Sequence, residues 1–385
     1  MYAKDTRAIS FVVLLTLMIT WQSVCTCTAS GEDLIAQIDF RRHFYCYNCN
    51  VDWEALSEPN NNPILNACLT GADLDKLQQL GLEDLHTRLE RLQHGNLIEK
   101  ADQKYRLAFP AIVGAKRVWF QKEIERIATQ MWPTTQEMVQ SLSPHLKGCE
   151  HMTYHVVWSL FMDGKVTWWS LQEVLKDQLA RDVSLAGIHW LVYPQHPYSA
   201  GTNTYFDNAR GLAAAITWTH TTPSPSAILG RLGPYADQLA QSVLHNQPVE
   251  DSQAIRALAE YGLVDADGSL RVYVVDTNSP ACQESALSSV TFAVKAIKHM
   301  EVQKLAGRLG ASAEQALVIT YHELCYELLK RLAASGIVEI PEIARRANAP
   351  TKQVHRLISF AIIRDPDALQ QQLRSRLQDL METQN

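Results

Sequence analysis

The sequence predicts a mainly α-helical protein with small β-hairpins, an α+β class. Three observations predict it. Leucines recur at spacings of three and four ahead of a short alternating segment, and this grammar occurs twice. Between the two occurrences lies a Trp-rich stretch with helical patterning on either side of a Gly turn. A narrow leucine stripe closes the chain.

The 385 residues suffice for two or three cores, and 46% hydrophobic with 20% charged residues is a globular composition. A net charge of −6 argues against an all-over basic coat for nucleic acid but permits a local basic face. Eight cysteines in so long a chain do not make a disulfide scaffold.

Residues 1–30 read as a signal peptide or membrane anchor. No charge falls between Ala8 and Ser30, Lys4 and Arg7 precede the run, and Glu32 and Asp33 follow it. The lysines and arginines near the segment favour an inside N-terminus, which places the body outside the cytoplasm. A cytoplasmic body is the alternative.

Residues 31–66 form a Cys-containing linker. "HFYCYNC" carries one C-x-x-C, at Cys46 and Cys49. With His43 and Cys68 it offers four zinc ligands at unorthodox spacing. In an exported protein the pair reads instead as a disulfide.

Residues 67–112 form the first leucine unit. Leu74, Leu77 and Leu80 mark a short helix, and Leu82, Leu85, Leu89 and Leu92 a second. His94-Gly95-Asn96 stops it. Leu97-Ile98 opens a strand, Ala101-Asp102-Gln103 turns, and Tyr105, Leu107 and Phe109 alternate on the return.

Residues 113–233 form the Trp-rich region, expected to be helical. "YHVVWSLFMDGKVTWWSLQEVL" reads as helix, turn at Asp163-Gly164, helix, and "YPQHPYSAGTNTYFDNARG" as a long irregular loop. His151 and His155 stand one helical turn apart, a spacing that can share a metal, but no third ligand is indicated. Residues 234–278 repeat the first unit's grammar. Ile255 and Leu258 match Leu89 and Leu92, Asp267-Gly268 turns, and Leu270, Val272 and Val274 alternate.

Residues 279–333 carry long helices. "YHELCYE" begins like a zinc-peptidase helix, but Cys325 and Tyr326 stand where the second histidine belongs. Residues 334–364 suit a helix-turn-helix: Ala344 at the helix crossing, Asn348 at the turn, Val354 buried in the second helix and Thr351 as its N-cap. Residues 365–385 form an amphipathic helix with Leu369, Leu373, Leu377 and Leu380 in a stripe. It suits docking on the body or on a twin, which would make a homodimer.

Helix, turn, helix, hairpin in the two leucine units resembles the winged-helix fold. Residues 340–360 resemble the helix-turn-helix regulators over a short span. That resemblance implies a DNA-reading face, with Lys352, Gln353 and Arg356 toward the groove and Arg345 and Arg346 on phosphates. The charge of the first two units speaks against it, since Glu83, Asp84 and Glu90 offset Arg88 and Arg91, and the second unit offers Asp251, Glu260, Asp265 and Asp267. Lys100, Lys104 and Arg106 on the first hairpin are better placed. There is no G-x-S-x-G, Gly-rich phosphate loop or H-E-x-x-H.

The expectation is therefore a non-enzymatic binding or scaffold protein, exported or membrane-associated through residues 8–30, whose partner is a protein or ligand the sequence does not identify. A membrane-tethered DNA-binding regulator is the runner-up. An enzyme with a pocket in the Trp-rich region comes third.

Overall fold

A computed structural model describes residues 38–47, 51–179, 188–192, 200–364 and 366–383. The leader and Cys49 lie outside these. The fold is mainly helical with three small sheets, as the α+β expectation requires.

The N-terminal unit runs α1 (Phe40–His43), β1 (Phe44–Tyr47), α2 (Trp53–Ser57), α3 (Asn62–Cys68), α4 (Leu74–Gln78), α5 (Leu85–His94), β2 (Ile98–Ala101) and β3 (Lys104–Leu107). Asp52 and Asp73 cap α2 and α4 by accepting from the N–H groups of Ala55 and Lys76. Leu85, Leu89 and Leu92 bury one face of α5. The hairpin turns through Asp102 and Gln103, both at positive φ. Ala72, between α3 and α4, bridges Tyr105 antiparallel, with N···O distances of 2.9 and 2.7 Å. These elements share one core.

The body begins with β4 (Ala111–Ile112) and α6 (Gly114–Leu142). A turn at Thr153–His155 continues into a π-helix, Val156–Met162. Then come α7 (Lys165–Leu175), β5 (Ile188–Val192), β6 (Ala200–Asp207) and β7 (Leu212–Thr219). Next are α8 (Pro225–Leu232), α9 (Ala236–His245), α10 (Ser252–Glu260) and β8 (Tyr273–Asp276). The chain ends with α11 (Pro280–Met300), α12 (Val302–Leu309), α13 (Ala313–Ala334), α14 (Glu342–Arg345), a 3₁₀ stretch Thr351–Leu357, β9 (Ile358–Ile362) and α15 (Pro366–Glu382).

The helix α13 is buried on nearly all sides and forms the axis of the body. A capping box of Ser312 and Gln315 starts it. The helices α6 and α12 pack on it, and α11 packs on α6, α7 and α15. The sheet order β6-β7-β9-β8 supplies a second layer. The strand β5 ties the two parts together. It pairs antiparallel with β1 and parallel with β4, and its Leu191 joins the N-terminal core while Trp190 and Val192 join the body's.

Four expectations need correction. Residues 200–219, placed in a helical region with an irregular loop, form the hairpin β6–β7. Thr, Tyr and Phe in β6 suit a strand, and Gly211 at φ +65° closes the turn. In the second unit the hairpin shrinks to a single bridge, Val264↔Leu270, because Tyr273–Asp276 pairs with β9 instead. The second helix of the helix-turn-helix is absent. Thr351–Leu357 is 3₁₀ and runs directly into β9, whose backbone is taken by β7 and β8 on either side. Thr351 does not cap it, and its hydroxyl donates to the Glu260 carbonyl. Asn348 does sit at φ 67°, and Ala344, Val354 and Leu357 are buried, so the turn and the apolar positions hold.

The C-terminal stripe docks on the body. Leu373 and Leu377 are buried against Ala286, Val290 and Val294 of α11. Among the described residues no helix is long and apolar enough to cross a membrane.

Candidate functional site

The residues expected to read DNA do come together, around a cleft. Glu339, Glu342, Arg345, Arg346, Gln353 and Arg356 line about 490 Å³ between α14 and the 3₁₀ stretch. Lys352 is exposed but is not part of its wall. The absence of a recognition helix shapes the cleft, since the tight 3₁₀ winding folds Gln353 back over α14. Its Oε1 accepts from the Ile343 N–H at 3.2 Å, and its Nε2 lies 3.4 Å from Glu342. Arg346 meets Glu342 at 3.0 Å. The Arg356 guanidinium donates to the His151 carbonyl at 3.2 Å and meets Glu339 at 3.3 Å. Gly262 seats this segment: at φ +70°, a Cβ there would lie 2.0 Å from the Lys352 carbonyl oxygen.

On the N-terminal unit the helix arginines are also engaged. Arg91 meets Asp52 at 2.8 Å and Glu54 at 2.9 Å, and Arg88 pairs with Glu58. Its partners on Asp52 hold that carboxyl below the usual carboxylate range, Arg91 first. Lys100, Lys104 and Arg106 are exposed.

A third cluster is buried, and no local motif announced it. His155 contacts the Thr217 hydroxyl at 2.7 Å through Nδ1 and the Ser359 hydroxyl at 2.8 Å through Nε2. The Ser159 hydroxyl bonds Thr217 and lies 2.9 Å from that of Thr202. Thr202 in turn donates to Asp163 from both hydroxyl and backbone N–H, and Trp168 Nε1 donates to Asp163 at 2.9 Å. His322 Nε2 lies 3.8 Å from Asp163. The chain of polar groups thus runs from β9 through the π-helix to α13. Burial pushes the His155 imidazole down to about 3, so it stays neutral. A Ser–His–Thr contact invites a catalytic reading, but His155 is wholly inaccessible and Ser359 nearly so. These groups satisfy one another and fix the packing of helix on sheet.

His151 and His155 do not share a metal: His155 is spent on Thr217 and Ser359, while the His151 ring sits 5.3 Å from that of His355. In α13, His322 Nδ1 donates to the Val318 carbonyl at 2.8 Å. Glu323 pairs with Arg117 at 3.2 Å, and burial raises its carboxyl. Neither faces solvent as a peptidase residue would.

Three of the four proposed zinc ligands, His43, Cys46 and Cys68, are among the described residues. Cys46 is disulfide-bonded, and a disulfide sulfur is not a thiolate ligand. The Cys68 thiol lies in the N-terminal core, where burial pushes it up to about 12. His43 Nδ1 contacts the Asp39 carbonyl at 2.8 Å. Among the described residues no three His, Cys, Asp or Glu side chains gather as a metal site.

No protein-family model, no curated protein and no solved structure matches the chain.

Proposed function

We propose that the chain is a non-enzymatic binding or scaffold protein, exported or held at a membrane, whose residues 67–112 are a winged-helix-like unit used for protein contact. The helix, turn, helix, hairpin order and the Ala72–Tyr105 bridge support the unit. One observation carries the functional reading. Most of the arginines that a DNA-reading face needs are paired with carboxylates of this chain: Arg88 and Arg91 with Glu58, Asp52 and Glu54, Arg346 with Glu342, and Arg356 with Glu339. Such groups release few counterions on meeting phosphate. The Cys46 disulfide supports export, since disulfides persist in oxidising compartments.

The regulator reading keeps two features in its favour, the exposed Lys100, Lys104 and Arg106 on the hairpin and the exposed Arg345 and Lys352 at the C-terminal segment. Titration of duplex DNA into the full chain at physiological salt separates the two. The contact-module reading expects weak binding or none. Tight, sequence-selective binding, abolished when Arg345, Arg346, Lys352 and Arg356 become Ala, would replace it with the regulator.

A further inference from the structure

The cleft between α14 and the 3₁₀ stretch holds more hydrogen-bond donors than its own carboxylates consume. A guanidinium presents five N–H groups in a planar fork. Arg345 is exposed and forms no ion pair among the described residues. Arg346 gives one contact to Glu342, leaving the rest of its fork open. Arg356 is different: its side chain is only 15% exposed, and the His151 carbonyl and Glu339 hold its fork in place. A fixed cation, a half-used one and a free one therefore share one concave surface of about 490 Å³. That volume falls in the range of small-molecule sites.

We propose that this cleft binds a single compact oxyanion, the carboxylate or phosphate monoester of a small molecule, with Arg345 and Arg346 closing on it beside the preset Arg356. Arginine forks match such groups in pairs of parallel hydrogen bonds. The three arginines exceed the two glutamates by one charge, which a single anionic group offsets. Glu339 and Glu342 also set the size of the ligand. They flank the arginines, so an extended polyanion laid across the cleft meets two carboxylates, while a compact group between the forks does not. Gln353 contributes by holding Glu342 toward Arg346 and away from the ligand. The site does not depend on the contact-module reading, because its residues lie outside the N-terminal unit.

The test is calorimetric titration of the full chain with inorganic phosphate and, separately, with succinate. Saturable one-to-one binding of either supports the site, and the one that binds identifies the anion class. Arg345→Lys keeps the charge and loses the fork, so it should weaken binding about tenfold. Arg231→Ala removes a whole charge from the exposed face of α8, away from the cleft, and should leave binding unchanged. Both positions are exposed, so neither substitution threatens the fold. No saturable binding of either anion overturns the proposal. So does an Arg345→Lys protein that binds like the parent, or an Arg231→Ala protein weakened as much as Arg345→Lys, since either result describes general ionic attraction. Duplex DNA binding tighter than either anion, through the same arginines, would replace the compact ligand with a polyanion.

Discussion

A histidine in a protein core is tolerated when both ring nitrogens find partners, and His155 finds them in Thr217 and Ser359. Its neutrality has a consequence for acid stability. The folded protein holds His155 near 3, while an unfolded histidine titrates near 6.5. The unfolded state therefore takes up the proton first, and stability falls as pH drops below about 6.5 until the folded value is reached. Between about pH 7 and about pH 5 the loss from this group is roughly 2 kcal/mol. His355, held down to about 4 mainly by burial, acts in the same direction. Urea unfolding at the two pH values should show the loss, and His155→Gln should flatten it. An equal slope in that variant would assign the effect to other groups. Thr217→Val leaves one imidazole nitrogen unpaired and should cost about 1–3 kcal/mol at neutral pH. The sequence singled out His155 only for its spacing from His151, and its partners were not legible, because Ser159, Thr202, Thr217 and Ser359 come from four separate segments and carry no spacing signature.

Elements whose order depends on local periodicity were legible, and those that depend on distant partners were not. The leucine face of α5 and the turn at Asp102 and Gln103 follow from residues within a few positions of each other. Residues 351–362 were misread for the opposite reason. Val354, Leu357 and Ile358 satisfy a helical pattern, but β7 and β8 draw the chain from Ile358 onward into a sheet, and both are remote in sequence. The candidate cleft was half legible: Arg345, Arg346, Gln353 and Arg356 were singled out, while Glu339 and Glu342, their ion-pair partners, were not. Where local periodicity did hold, its energetic cost is testable. Leu89 is 2% exposed and Leu258 not at all, so Leu89→Ala or Leu258→Ala should each cost about 2–5 kcal/mol in chemical denaturation. A Leu89→Ala protein as stable as the parent would remove α5 from the N-terminal core. The stripe on α15 is spent on α11, so Leu373→Ala with Leu377→Ala should lower stability by about 2 kcal/mol or more and leave the oligomeric state unchanged. Dissociation of a dimer in that variant, by light scattering, would show that the stripe also serves a twin.

At the scale of the whole molecule, two independent features bear on location. One is the uncharged run from Ala8 to Ser30 behind Lys4 and Arg7. The other is the disulfide at Cys46, in β1 of the N-terminal unit. Both are expected of a body that meets an oxidising compartment, and the second does not depend on the first. The free thiols do not oppose this. Cys68 and Cys325 are sealed in the two cores, and burial raises the thiols of Cys149 and Cys282 as well, so all four are slow to ionise and to exchange. Residues 1–30 fused to a reporter should therefore carry it to the membrane or beyond. In cells making the full chain, an external protease should reach the body, and thiol labelling before and after reduction should reveal Cys46 only after reduction. A reporter left soluble in the cytoplasm, together with Cys46 labelled without reductant, would place the body inside and remove the export half of the proposal.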